Sequence, residues 1–276
     1  MHELKLEDFN TINHLLDTDY HFPEIRAVVE GNQPGWVFVD RIEEPHTAMI
    51  FVGEANGFMF VGEIIDEFLQ GLNPFIEEVI KPRLLEDGIN YFECSGSSPK
   101  WNQALKNELI KNWYVKEWEC LLFEFKEAQF DLEKSLSHKQ VRKVNEALLE
   151  DRAIENRDWL LEVIKPYWRS MNDFYDKGIG YVVIDDNQIV SVCHSCYVAG
   201  DVYKVDIVTL KDYRKKGYAR LVAQAYIADC LANDKVPYWD CMIENVASHK
   251  LAESLGFEVE DVANYYDFYF KQDTID

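Results

Sequence analysis

The 276-residue chain is 47% hydrophobic and carries 50 acidic against 28 basic side chains, a formal charge of -22. That composition belongs to a folded chain with room for one large or two medium domains and excludes a disordered one. Its field repels nucleic acid and anionic membrane surfaces and attracts cationic or amine-bearing substrates, although the same acidity would serve solubility alone.

At the N-terminus, Met1 to Asp8 carries acids where a secretory leader carries basic residues and then an apolar run. An amphipathic stretch follows (Phe9, Ile12, Leu15, Leu16), and the turn signal Gln33-Pro34-Gly35 opens a run of strands at 36–39, 48–52 and 58–61. Residues 64–85 read as a helix interrupted at Asn73-Pro74. A strand at 89–94, a helix at 98–110 and a strand at 118–125 complete a front half. From Lys126 to Arg157 the chain turns charged and helical, which marks a connection and predicts two domains, 1–135 and 136–276.

The same order then returns: a helix at 159–175, strands at 181–184, 189–197 and 202–209, a helix at 217–233, a strand at 238–242, a helix at 246–255 and closing strands through 270. No stretch reaches the roughly 18 uncharged apolar residues of a membrane span, so a soluble, cytoplasmic protein is expected. The six cysteines, spread over a chain able to build a core, are expected as reduced thiols. Tyr91-Phe92-Glu93-Cys94 matches Tyr238-Trp239-Asp240-Cys241 in chemistry, and Leu84 and Leu231 keep the same offset. With the shared order of elements, this points to an internal repeat.

The chemistry concentrates between Val205 and Arg220. Five basic residues (Lys211, Arg214, Lys215, Lys216, Arg220) fall there in an acidic chain, just before a helix whose apolar face runs from Ala219 to Leu231. A helix N-terminus offers unpaired N–H groups and a partial positive charge to phosphate oxygens, and Gly217 allows close backbone approach. A solvated basic helix start would show the same local pattern.

Arg214-Lys215-Lys216-Gly217-Tyr218-Ala219 resembles the pyrophosphate loop of the GNAT acetyltransferase superfamily, and Asn245-Val246-Ala247-Ser248 with Leu255-Gly256-Phe257 resembles that family's second signature. The wider chain is similar to the zwittermicin-A-resistance-type branch. The resemblance implies an α/β GNAT acyl-CoA N-acyltransferase fold in the C-terminal half, preceded by a degenerate GNAT-like α/β half. It further implies acetyl-CoA as cosubstrate, with its pantetheine along Ile207, Val208 and Thr209. The pyrophosphate would lie on Arg214, Lys215, Lys216, Gly217, Tyr218, Ala219 and Arg220, with Asn245 and Ser248 as further contacts. Many members place a tyrosine as general acid before the glutamate of the Leu-Gly-Phe helix; here Ala252 precedes Glu253.

Attack on a thioester requires a neutral amine, so a base is expected, while a leaving thiol with a pKa around 8.5 tolerates loss of a dedicated acid. Asp206 and His194 are the candidate bases, and Tyr265 or Tyr266 a displaced acid; each is also compatible with an ordinary strand position. Cys193-His194-Ser195-Cys196 lies in extended chain, where residues three apart face opposite sides, so no zinc or redox role is assigned and no metal is expected. The acceptor is expected to be a small-molecule amine, possession of the fold without turnover being the alternative. No nucleic-acid or membrane partner is expected, and the oligomeric state, a homodimer included, stays open. At the offset that aligns Tyr91 with Tyr238, Arg214 falls opposite Glu67 and Gly217 opposite Gln70, a reversal of charge that predicts a front half without a phosphate site.

Overall fold

A computed structural model describes residues 1–16, 22–53, 57–130 and 140–270; the expected boundary near residue 135 lies outside them. The described strands are β1 His2–Glu3, β2 Trp36–Val39, β3 Thr47–Phe51, β4 Phe58–Gly62, β5 Tyr91–Gly96 and β6 Lys116–Phe125, then β7 Val141–Lys143, β8 Gly180–Asp185, β9 Gln188–Ala199, β10 Val202–Thr209, β11 Val236–Met242 and β12 Phe257–Tyr269. They form a 12-stranded sheet in the order β1-β2-β3-β4-β5-β12-β6-β11-β10-β9-β8-β7. Read from either edge, the order is the same: an antiparallel run of four strands, then a parallel partner, β4 with β5 and β10 with β11.

The centre of the sheet is exchanged. β12, the last strand of the back half, pairs with β5 of the front half, and β6, the last long strand of the front half, pairs with β11 of the back half. β6 and β12 then pair antiparallel with each other along most of their length. Each half is therefore completed by backbone hydrogen bonds from the other.

Helices cover the sheet: α1 Pro23–Val29, α2 Asp66–Gln70, α3 Leu72–Phe75, α4 Lys81–Glu86, α5 Pro99–Leu109, α6 Glu146–Glu150, α7 Arg157–Ile164, α8 Met171–Lys177, α9 Tyr218–Ala232 and α10 Val246–Glu253. One apolar cluster, with Leu160, Phe174, Val222 and Tyr226, lies under α7 to α9; another, with Leu72, Ile76, Trp101 and Leu105, lies under α2 to α5. A third joins the halves, since Ile25 and Val28 of α1 pack with Cys196 and Tyr197 of β9 and with Tyr265 of β12. Polar ties reinforce it: Asn32 and Gln33 bond the Val198 peptide, and the Tyr197 hydroxyl donates to the Val52 carbonyl.

Several elements depart from the sequence reading. The helix expected at 159–175 is two, because Pro166 supplies no N–H and Ser170 caps a new start by accepting from Asp173 N–H. The charged stretch before Arg157 holds an edge strand, β7. Pro74 does not interrupt its helical segment; it sits in the first turn of α3, where its N–H is not needed, and the junction falls at Gly71. Helix α1 has no counterpart in the sequence reading. Glu67 and Gln70 lie inside α2, whereas Arg214 and Gly217 precede a helix, so the residue-by-residue offset does not hold across this segment.

The exchanged strand brings two carboxylates together. Glu93 on β5 stands directly opposite Asp267 on β12, with its Oε1 buried and unpartnered among the described residues. Burial, and then the Asp267 charge, push the Glu93 carboxyl up to about 8. A carboxyl with a raised folded pKa binds more protons folded than unfolded, so stability falls as pH rises from about 4.5 toward about 8. Urea unfolding across this range should show the wild type losing on the order of a few kcal/mol. Glu93→Gln should flatten that dependence and be the more stable protein above pH 8.

Candidate active site

β10 and β11 begin as a parallel pair, with Val202 opposite Val236, Tyr203 opposite Pro237 and Lys204 opposite Tyr238. The pairing ends there. From Val205 to Thr209 and from Trp239 to Met242 the strands line the two sides of a cavity of about 730 Å³, closed at its outer end by the turn before α9 and the start of α10. β10 keeps its other neighbour, β9, throughout, although the register shifts between Lys204 and Val205.

The turn is shaped for an anion. Lys215 has φ 62° and Gly217 φ 85°, both in the left-handed region, and Gly217 leads into the 15-residue helix α9 with no side chain capping it. The first N–H groups of α9 are left for an external acceptor. Arg214 donates from Nε to the Thr209 carbonyl at 3.1 Å, which fixes the plane of the guanidinium and leaves its terminal nitrogens for a ligand. Arg220 is bound to Ser254 through both terminal nitrogens.

Ile207, Val208, Thr209, Arg214, Lys215, Gly217, Tyr218, Ala219, Arg220, Asn245 and Ser248 all line the cavity. Lys216 does not; its ammonium lies 4.5 Å from the Tyr213 ring centroid. Asn245 caps α10 by accepting the Ser248 N–H at 3.2 Å, and the Ser248 hydroxyl accepts from the Trp239 indole at 3.0 Å.

Of the catalytic candidates, the structure brings two together. Asp206 lines the inner part of the cavity, and directly across on β9 the fully buried His194 places Nε2 3.3 Å from Asp206 Oδ2, near enough for an ion pair though not aligned for a direct hydrogen bond. His194 Nδ1 is 3.1 Å from the Ser195 carbonyl oxygen, which can only accept, so Nδ1 carries a hydrogen and the buried Nε2 is the nitrogen turned toward Asp206. Tyr265 is elsewhere: buried, stacked on Trp118 at 4.4 Å, off the cavity wall, and with its hydroxyl pKa raised by burial and by the Glu24 charge. Tyr266 packs in the front-half cluster and bonds Glu117. Cys193 and Cys196 belong to different clusters on opposite faces of β9, both with thiols raised by burial. Among the described residues, no group of three or more potential metal ligands occurs, and no helix is long and apolar enough to cross a membrane.

The sequence reading missed a charged cluster at the base of the fork. Lys204 Nζ lies 2.6 Å from Asp240 Oδ2 and 3.2 Å from Glu24 Oε2; Glu24, on α1, is completely buried. Burial alone would lower the Lys204 ammonium, but Asp240 and Glu24 hold it well above the ordinary lysine value, so it stays charged. The available signal was a lone lysine in the otherwise apolar run from Val202 to Val205. Nothing local marks Glu24, which reads as an acid in a solvated first helical turn.

A forked parallel pair, an uncapped helix behind a basic turn and an acid with its imidazole at the inner end are the parts of an acyl-transfer site. Residues 13–266 match the family described as GNAT acetyltransferase, and the chain belongs to that family of acetyl-CoA-dependent enzymes. It is 27% identical over 273 residues to the uncharacterized N-acetyltransferase YdfB of Bacillus subtilis (strain 168), covering 96% of this chain and 98% of that one. A GCN5-related N-acetyltransferase-like protein from Streptococcus suis 89/1591 superposes with a TM-score of 0.68 at 22% identity, over 95% of this chain and 98% of that one. A tandem GNAT protein from the clavulanic acid biosynthesis pathway does so with a TM-score of 0.60 at 8% identity, over 98% of both chains. The fold is thus a GNAT fold with a second, GNAT-like half.

A Cβ at Gly217 would meet no atom within 4 Å, so substitution there is limited by φ and not by space. Gly217→Glu should cost about 1–2 kcal/mol of stability for its left-handed backbone. It should also weaken acetyl-CoA binding by at least about 100-fold through its misplaced charge. Calorimetry on the folded variant checks both, and stoichiometric binding retained there would locate the cofactor in the front half instead.

Proposed function

We propose that residues 136–276 bind acetyl-CoA in the fork between β10 and β11 and transfer its acetyl group to a primary amine of a cationic small molecule. Residues 1–135 act in this reading as a GNAT-like half without a cofactor site. The observation that carries it is the convergence, in one cavity, of the uncapped α9 start with its basic turn and, at the opposite end, of Asp206, backed from outside the cavity by the buried His194.

The pyrophosphate rests on the N–H groups after Gly217, with Arg214 and Lys215 neutralising it, and the pantetheine amides pair with the backbone of Ile207 to Thr209. The acceptor arrives as an ammonium, drawn to Asp206 and Asp240 at the inner end. Asp206, on the cavity wall, orients it and takes its proton, with the buried His194 imidazole 3.3 Å behind the carboxylate. The neutral amine nitrogen then attacks the thioester carbonyl; the C–N bond forms, the C–S bond breaks, and the CoA thiolate leaves and takes up the proton that the acylated nitrogen sheds. No tyrosine is needed at the Ala252 position, because a thiolate is an adequate leaving group near neutral pH. The resemblance to zwittermicin-A-resistance-type enzymes adds amino-bearing antibiotics to the acceptors worth testing.

Release of CoA thiol, measured with acetyl-CoA and a panel of amines, tests the reaction. Cationic amines should be acetylated, and their KM should rise with ionic strength. Turnover confined to neutral or anionic acceptors would overturn the charge argument. With an acceptor in hand, Asp206→Asn should lower kcat/KM by about 10²–10⁴-fold, the range of general base catalysis. The cofactor Kd should change far less.

A further inference from the structure

An acceptor has to reach Asp206 from a side that the cofactor does not fill, and the connector between α7 and α8, residues 165–170, lies beside that carboxylate and its imidazole. Three consecutive residues of the connector reach three different neighbours. Tyr167 packs its ring on the His194 imidazole, with centroids 5.6 Å apart, and on Tyr197 at 5.7 Å. The Trp168 indole donates to the Ser195 carbonyl at 3.0 Å, the same oxygen that His194 Nδ1 meets at 3.1 Å. Arg169 leaves the back half: its guanidinium donates to the Gly31 carbonyl and, at 3.3 Å, to the Gln33 carbonyl. Trp168 has extended backbone, so Tyr167 and Arg169 lean to one side while the indole turns to the other.

The front-half loop that receives Arg169 is itself fixed. Asn32 Nδ2 donates to the Val198 carbonyl at 2.9 Å, Gln33 Oε1 accepts the Val198 N–H at 3.2 Å, and Lys177 of α8 donates to Asn32 Oδ1 at 3.0 Å. Loop 31–33 is thus wedged between the end of β9 and the segment that carries Tyr167, with hydrogen bonds to both. Tyr167 is half-buried, and burial and then the Asp206 charge raise its hydroxyl above the ordinary tyrosine value. It stays protonated and neutral, with lone pairs to offer a cation. An ammonium has three N–H donors, of which one carboxylate oxygen takes only one.

We propose that the front half governs acceptor binding: loop 31–33, through Arg169, holds Tyr167 beside Asp206, where the Tyr167 hydroxyl accepts one N–H of the incoming ammonium. This rests on the reading of Asp206 as the group that receives the acceptor. Arg169 and loop 31–33 touch neither substrate and act as positioning groups. Neither they nor Tyr167 lie on the wall of the cofactor cavity, so their effect is confined to the acceptor.

That confinement gives the test. CoA release by the full-length wild type, Tyr167→Phe, Arg169→Ala and the double variant is measured with the cationic amine of the panel that has the highest kcat/KM, and calorimetry gives each acetyl-CoA Kd. Tyr167→Phe keeps the ring that covers His194 and removes only the hydroxyl. Arg169→Ala trims an exposed side chain, and the pairing of β6 with β12 still holds the halves together. Each single variant should raise the amine KM about tenfold or more, as loss of a hydrogen bond to a charged group does, with kcat within about threefold and the acetyl-CoA Kd within about twofold of wild type. The double variant should be no more than about twofold worse than Tyr167→Phe, because Arg169 acts through that hydroxyl. Arg169→Lys, which can donate to one carbonyl but not span both, should fall between wild type and Arg169→Ala. An unchanged KM in Tyr167→Phe overturns the proposal, as do additive losses in the double variant. Parallel weakening of acetyl-CoA also overturns it, by marking the clamp as general support for the fold. A wild type that binds acetyl-CoA but acetylates no amine of the panel overturns the transfer reaction and this proposal with it, whereas turnover that the variants leave untouched refutes the proposal alone.

Discussion

A parallel strand pair cannot open without leaving backbone donors and acceptors unpaired along its inner edges, and everything else about this site follows from the opening between β10 and β11. On the outer side, β10 stays satisfied by β9 through Thr209, so only its edge toward β11 is exposed to a ligand. An extended chain with amides can complete that edge as a missing strand would. The turn after Thr209 then delivers the start of α9 to the mouth of the same opening, so one excursion of chain supplies both the edge and the anion site.

The exchange of β6 and β12 decides how the two halves can behave. Because β12 leaves the back half to pair with β5 while β6 takes the place beside β11, separating the halves would break three ladders, β5 with β12, β12 with β6 and β6 with β11, and the cluster between them. A front half that had lost its own cofactor chemistry would still be held in place by this pairing. It is free to carry other work on the shared face, where α1 lies against β9 and β10. The uncompensated Glu93 beside Asp267 sits on the front side of the same exchange, at the position that corresponds to Asp240. The two acids differ in their neighbours: one has a buried lysine and the other a second carboxylate.

What was legible in the sequence was what is contiguous in it. Arg214 to Ala219 and Asn245 to Leu255 carry their meaning within a few residues, as a charge reversal, a glycine with a left-handed backbone and a cap, and the structure gathers nearly all of them on one cavity. His194 and Asp206 stand out singly as candidate bases, but nothing in the sequence pairs them, because their meeting depends on strand register. Glu24 with Lys204 was out of reach, since 180 residues separate them and α1 starts at Pro23 behind Phe22, which offers no side-chain cap. Helix period misled where proline acts: Pro166 ends a helix whose apolar spacing continues beyond it, while Pro74, in a first turn, ends nothing. The exchange of strands left no sequence signal at all, because β6 and β12 have the same alternating character whichever neighbour they choose.

The buried cluster of Glu24, Lys204 and Asp240 is hard to understand as a stabilising feature. Removing two carboxylates and an ammonium from water costs several kcal/mol per ion, and an apolar set of similar volume often serves a core as well or better. Glu24 is not even fully satisfied, with Oε1 lacking a partner among the described residues. Burial raises its carboxyl pKa against the pull of Lys204. A chain that already packs Tyr197, Tyr238 and Tyr265 around this point has the apolar material to fill it. The cluster lies at the level where β10 and β11 stop pairing, and through Lys204 it ties Asp240 on the cavity wall to Glu24 of α1. The stability of the back half is thereby tied to the geometry of its cavity through a residue of the front half.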